Sequence, residues 1–264
     1  MNILDKIIAH KRDEVKVNKL NVPVKELEKK QFFTRPVLSL TESLLKPGST
    51  GIIAEFKRQS PSRGIINANA DVLKVTSAYT SNGAAALSVL TDNNFFGGSN
   101  ADLEGARVNN VPILRKDFII DEYQIVEARA IGADVILLIA ANLTHGDVKR
   151  LASFARSLQL EVLLEIHNED ELGHICDECD VVGVNNRDLK YFTVDINRSL
   201  ELSEMIPAGK VKISESGITD TDTIYKLRSA GFSGFLIGEN FMREQDPSVA
   251  FASFVKHLKT LSPG

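Results

Sequence analysis

From about residue 51 onward the chain alternates short, apolar, β-branched runs with longer segments of helical periodicity, and it does so eight times. The runs are 51–56, 85–90, 112–115, 134–139, 161–165, 180–184, 211–214 and 234–237. Runs that are apolar on both faces suit parallel strands buried on both sides, and parallel neighbours need a crossover, usually a helix. Amphipathic stretches at 71–82, 100–109, 121–131, 144–158, 168–176, 195–205, 219–230 and 246–260 supply those crossovers. Several open with a residue suited to capping: Asp71, Asp121, Thr144, Asn168, Asp195 and Thr219. Eight units of roughly 27 residues fit an α/β fold of the closed (βα)8 barrel, or TIM, type. An open doubly wound sheet is the alternative, but it rarely needs eight such regular units and usually carries a glycine-rich first turn.

Ahead of the barrel, Ile3, Leu4, Ile7, Ile8 and the stretch 11–15 give one apolar stripe and predict a helix; a second, short one starts near Pro23. Two short helices cannot bury a core of their own. Residues 1–48 are therefore expected as a helical extension packed on the barrel, with 1–264 forming one domain.

The formal net charge of −4 offers no general basic field, so no nucleic-acid partner is expected and an anionic ligand must be drawn by local positive charge. The opening MNILDKIIAHKRDEVK breaks its apolar residues with charges, unlike a secretion signal, which predicts a cytoplasmic protein. The longest apolar run, 135–141, is far below the ~20 residues that cross a bilayer, so no membrane partner is expected. Cys176 and Cys179 form C-x-x-C near His174, but a structural zinc needs four ligands at suitable spacing, and the pair reads as two incidental thiols. No histidine spacing implies a metal. The sequons at Asn142 and Asn197 read as chance matches.

In such barrels the active site gathers where the strands end. The first strand delivers Glu55 and Lys57, two residues apart and so on one face while the chain stays extended. The third ends in Arg115, Lys116 and Asp117, the fifth in Glu165, the sixth in Asn185 with Arg187 behind it, and the seventh in Ser214, Glu215, Ser216 and Gly217; the second and fourth end in uncharged Thr91 and Ala140. Lysines and glutamates converging on one mouth shift each other's pKa values in both directions and support acid and base roles together. Singly, each has a plainer reading: a surface pair for Glu55 and Lys57, a solvated loop residue for Lys116, a helix cap for Glu165. The loops SESGITD and GENFM follow the last two strands, where barrels frequently hold phosphate, and Gly217 and Gly238 are the candidates. Phe95, Phe96 and Phe118 lie in loops at the same end and suit either a flat apolar ligand or core packing.

Six ordered stretches, AEFKRQSPSRG, SVLTDNNFFGG, LRKDFIID, LLEIHN, GVNNRDL and SESGI, together resemble the strand-end signatures of the indole-3-glycerol-phosphate synthase family of tryptophan biosynthesis, over nearly the whole chain. The resemblance implies a cofactor-free, decarboxylating and dehydrating ring closure of 1-(2-carboxyphenylamino)-1-deoxyribulose 5-phosphate. It also implies roles: Lys116 as the general acid on the ketone, Glu165 as acid/base in the dehydration, and Lys57 as anion holder with a share in proton transfer. Glu55, Asn185 and Glu215 would orient these groups, with Arg187 in support. Ser60 is counted with the substrate-binding residues; Ser216, Gly217, Gly238 and the backbone of Glu239 would bind phosphate, and Phe96, Phe118 and Leu137 would wall the aromatic ring. The first helix is expected over the mouth, although the chain has no tryptophan there or anywhere else. The expected partner is a small anionic sugar phosphate, met by a monomer. Two other readings stay open at this point: an aldolase with Lys116 or Lys57 as Schiff-base lysine, and a sugar-phosphate sensor without turnover.

Overall fold

The structure is a computed structural model and describes residues 3–188 and 191–261. Eight strands, β1 (Ile52–Phe56), β2 (Ala86–Leu90), β3 (Ile113–Lys116), β4 (Val135–Ile139), β5 (Glu161–Ile166), β6 (Val181–Asn185), β7 (Val211–Glu215) and β8 (Gly234–Ile237), pair in parallel, each with its neighbours in sequence. β1 pairs with β8 and closes the barrel. The registers set Ile139 beside Glu165 and Asn185 beside Glu215, so the chemistry-bearing residues share one rim.

Pleating sorts the side chains. Ile53, Leu114, Val135, Leu163, Ile213 and Leu236 meet inside the barrel, while Ile52, Leu87, Val162 and Phe235 pack outward under the helices. Burying each such side chain contributes roughly 1.5–3 kcal/mol. The same alternation turns Arg115 outward, where it donates to Gln124 O at 2.8 Å and to Glu127 at 2.5 Å, and leaves its neighbour Lys116 to face the mouth.

The extension encloses both ends. Helix α1 (Ile3–Asn21) buries Ile7, Ile8, Lys11 and Val15, and its C-terminal turn is held by Tyr123 Oη, which donates to Asn18 O at 3.0 Å and Val22 O at 2.8 Å. A short helix, Val24–Leu27, follows Pro23. A third, Leu40–Leu45, was not expected; it inserts Leu40 and Leu44 into the inner cluster and plugs the bottom.

Three local expectations give way. The stretch 168–176 is a 3-10 turn, Glu169–His174, without a side-chain cap, because the Asn168 amide donates to Glu171 at 3.3 Å. The helix Thr221–Ser229 is capped by Asp220, which accepts from Thr223 N, and not by Thr219. Ile196 holds the cap position of Asn197–Ser203, while Asp195 accepts from Asn197 N just outside it. Asp71, Asp121 and Thr144 cap as expected. A two-strand ribbon, Gln59–Ser60 with Gly64–Ile65, folds the loop after β1 over the mouth and has no counterpart in the sequence periodicity.

Candidate active site

At the C-terminal ends of the strands lies a cavity of about 430 Å³. Lys116 reaches into it and its Nζ donates to Glu165 Oε2 at 2.8 Å, with Glu215 Oε2 at 3.3 Å. Asn185 Nδ2 donates to the other Glu165 oxygen at 3.1 Å. On the facing strand Lys57 Nζ donates to Glu55 Oε1 at 2.7 Å, so the first-strand pair is neither a surface pair nor idle: Glu55 is buried and both side chains line the cavity.

Two glycines make room for this cluster. A Cβ on Gly183 would stand 2.3 Å from Glu215 Oε1, and one on Gly238 would stand 2.5 Å from Glu55 Oε1. Gly238 therefore seats Glu55 as well as bordering the cavity. Gly217, at φ +78°, needs its left-handed backbone, and a Cβ there would strike Val194 at 2.4 Å. Ser216 is held at φ +68°, a region that L side chains rarely occupy and that concentrates at functional sites.

Electrostatics separates the two buried glutamates. Burial works against the Lys116 ammonium, but Glu165, Glu215 and Glu55 outweigh it and hold its pKa above the ordinary value. Burial also raises Glu165, yet Lys116, His167 and the Asn185 hydrogen bond bring it down to about 2. Glu215 is raised to about 7, first by burial and then by the Glu165 and Glu55 charges, with Lys116 opposing. Its Oε1 is buried without a hydrogen-bond partner. One carboxyl thus stays ionised while its neighbour titrates near neutrality, the separation that allows a base and an acid side by side.

The remaining expected residues line the same cavity. Ser60, in the ribbon, and Leu137, inside the barrel, face it, as do Ser216, Gly217, Gly238 and Glu239 at the ends of β7 and β8. Phe96 and Phe118 form one wall with ring centroids 5.9 Å apart, whereas Phe95 turns away and packs edge-on against His10 at 5.8 Å. Arg187 lines the cavity; its guanidinium donates to Glu239 at 3.1 Å, while its backbone N–H donates to Asn185 Oδ1 at 3.0 Å and so steadies the Lys116 cluster from behind. The Glu239 side chain also accepts from Arg63 Nε at 2.8 Å, a use of its carboxylate that the sequence did not suggest. Ile3, Leu4 and Ile7 of α1 cover the mouth.

Sequence reasoning missed Arg63, Arg243 and His167. Arg63 closes the SPSR stretch and was visible as a loop cation; Arg243 lies one helical turn beyond Glu239; His167 follows Glu165 by two, the same spacing that flagged Lys57 beside Glu55. Cys176 and Cys179 sit with their sulfurs 3.5 Å apart as free thiols, ahead of β6 and away from the cavity. Among the described residues no group of three or more His, Cys, Asp or Glu is placed to hold a metal ion. No described helix is long and apolar enough to cross a membrane.

The family model for indole-3-glycerol phosphate synthase matches residues 4–254. A protein of that name from Bacteroides thetaiotaomicron is 45% identical over 259 residues, covering 98% of this chain and 99% of its own. Namesakes from Polaromonas sp. and Salinibacter ruber are 42% and 43% identical over 256 residues each, covering 95% and 96% of this chain and 97% and 94% of theirs. The chain belongs to the indole-3-glycerol phosphate synthase family. Membership makes it a decarboxylating lyase of tryptophan biosynthesis. A solved structure described as "Native KDPGal structure" has a TM-score of 0.56 at 13% identity, covering 79% of this chain and 92% of that one, and shares the barrel fold. Within the synthase family, then, the cavity with its lysine held between two glutamates is the candidate active site.

Proposed function

We propose that this cavity closes the indole ring of 1-(2-carboxyphenylamino)-1-deoxyribulose 5-phosphate, releasing carbon dioxide and water, and that the residues above divide the work. The observation that carries the reading is the Lys116 ammonium seated between Glu165 and Glu215 in the cavity that the turns at Ser216–Gly217 and Gly238–Glu239 border. Those turns and Ser60 take the phosphate. Phe96, Phe118 and Leu137 hold the aromatic ring. Fixing both ends of the substrate brings the ring carbon to the ketone, a gain that positioning alone supplies in many enzymes.

The ring carbon that bears the carboxylate attacks the ketone carbon, and Lys116, kept charged by its carboxylate neighbours, gives its proton to the ketone oxygen. Loss of carbon dioxide restores the aromatic ring. The new hydroxyl then leaves as water while the adjacent CH₂ group loses a proton; Glu165, ionised and within 2.8 Å of Lys116, serves in this exchange. Lys57 opposes the substrate's negative charge from the other side and shares in proton transfer. Glu55, Asn185 and Glu215 orient the lysines and Glu165, and Arg187 lends positive charge. The reading calls for no cofactor. The reading takes the protein as a monomer, one domain over 1–264, acting in the cytoplasm.

Mixing the purified chain with authentic substrate, with no metal or nucleotide added, is expected to produce indole absorbance and fluorescence against a background without tryptophan. A flat trace from folded protein removes the proposal. Borohydride trapping of a substrate adduct on Lys116 or Lys57 would favour the aldolase reading instead.

A further inference from the structure

Behind Glu165, outside the cavity wall, a second carboxylate is joined to it by one imidazole. His167 is nearly buried; its Nδ1 lies 3.3 Å from Glu171 Oε2, and its Nε2 lies 3.3 Å from Glu165 Oε1 with no aligned hydrogen-bond partner. Glu171 Oε2 also accepts from the His167 backbone N at 2.7 Å, which locks the two residues together across the start of the 3-10 turn. Exposure rises along this line, from 3% for the Glu165 side chain to 8% for His167 and 13% for Glu171. The remaining link is the 2.8 Å contact from Glu165 Oε2 to Lys116 Nζ. A continuous series of titratable groups thus runs from the protein surface to the proposed general acid.

The proposed reaction needs such a path. A carboxylate that leaves as neutral carbon dioxide must be replaced by a proton, so each turnover takes up one proton from solvent. Lys116 gives a proton to the ketone oxygen, the hydroxyl needs another to leave as water, and only one returns from the CH₂ group. The site ends one proton short. We propose that Glu171 and His167 form the proton entry to this site, with His167 as a positioning residue that acts through Glu165. This rests on the ring-closure reading for its proton count, and on geometry for its route. A proton from water reaches Glu171, passes to His167 Nδ1 and leaves from His167 Nε2 to Glu165 Oε1; the Glu165 carboxyl then turns to bring that O–H to Nζ and recharges Lys116. One proton enters, one arrives, and no electrons move.

The charges facing His167 favour this use: Glu165 from β5, Glu171 from the 3-10 turn and Glu215 from β7 outweigh the burial that would disfavour its charged form, and its pKa is raised. The imidazolium therefore persists to higher pH than in an ordinary histidine and is lost as the pH rises further.

His167→Gln is expected to lower kcat about tenfold at pH 8 with KM nearly unchanged, to move the alkaline limb of the kcat profile to lower pH, and to enlarge the solvent deuterium isotope effect. Glu171→Gln opens the outer end without touching the interior and is expected to shift the same limb in the same direction by less. Wild-type kcat, profile and isotope effect in both variants would overturn the relay, as would an equal effect on kcat at every pH. Imidazole ¹⁵N NMR of the substrate-free protein gives a readout independent of turnover: the His167 pKa should fall in both Glu171→Gln and Glu165→Gln. A His167 signal indifferent to both would sink the route even if the enzyme turns over, whereas a responsive signal in a protein without turnover would count against the ring closure alone.

Discussion

At the bottom of the barrel Asp134 accepts backbone N–H groups from Leu38 and Ile113, both at 2.8 Å, and is gripped on one oxygen by Arg35 and on the other by Arg107. Nearby, Glu161 accepts from Thr41 N at 3.0 Å and from the Ser39 hydroxyl. At the top, three buried glutamates compete for two lysines, Glu215 keeps one oxygen unpaired, and Ser216 holds a strained backbone. The residue types at the two ends are alike. What differs is completeness: the lower carboxylates have partners for both oxygens inside the chain and serve stability, while at the top Glu215 Oε1 lacks a partner, one that a hydroxyl of the substrate can supply. A buried polar group left short is costly, so a carboxylate kept short inside the cavity is held there for use.

That contrast can be broken from either side. Lys116→Met is expected to leave the barrel folded by circular dichroism and to cost roughly 10³-fold or more in turnover; near-normal activity would remove Lys116 from its role. Asp134→Ala should do the opposite. It strands Arg107 in the interior and is expected to cost about 3–5 kcal/mol of stability by denaturant unfolding, with kcat per folded molecule preserved. Were the Asp134 variant instead stable and inactive, the division between the ends would be wrong.

The smallest expected effect concerns Glu215. Its folded pKa is raised, to about 7, above the unfolded carboxyl value, so the stability it contributes is full below about pH 4.5 and is lost as the pH rises toward 7. Glu215→Gln is always neutral and should flatten that slope, melting like the wild type at pH 4 and slightly higher at pH 8, while turnover falls. A variant that melts lower at pH 8 would mean that the Glu215 carboxylate stabilises the mouth after all.

The barrel was legible because its signal is periodic: apolar runs of four to six residues fix the strands, and counting two residues along each strand end brings Glu55 with Lys57 and separates Lys116 from Arg115. Interactions between distant segments left no such trace. Lys11 is fully buried in α1, yet its ammonium meets Asp92 at 2.9 Å and Asp117 at 3.0 Å, at the ends of β2 and β3. In the sequence it reads only as one more polar residue on a helix. Nothing local marked Leu40 and Leu44 as the residues that would plug a barrel. Cap positions slipped by one residue at Thr219 and Asp220 because either side chain can accept from the first turn, and the backbone of the preceding loop decides. The Glu239 carboxylate escaped notice for a different reason: its two arginines come from loops after β1 and β6, which only barrel closure brings together.

The claim that the mouth is held short of a partner is tested most directly at Glu215 itself. Carboxyl ¹³C NMR of the substrate-free protein, with the resonance assigned through Glu215→Gln, should show a carboxyl that titrates near pH 7, well above an ordinary glutamate. A Glu215 signal that titrates near 4 would place a satisfied, solvated carboxylate in the cavity, and the contrast between the two ends of the barrel would fail.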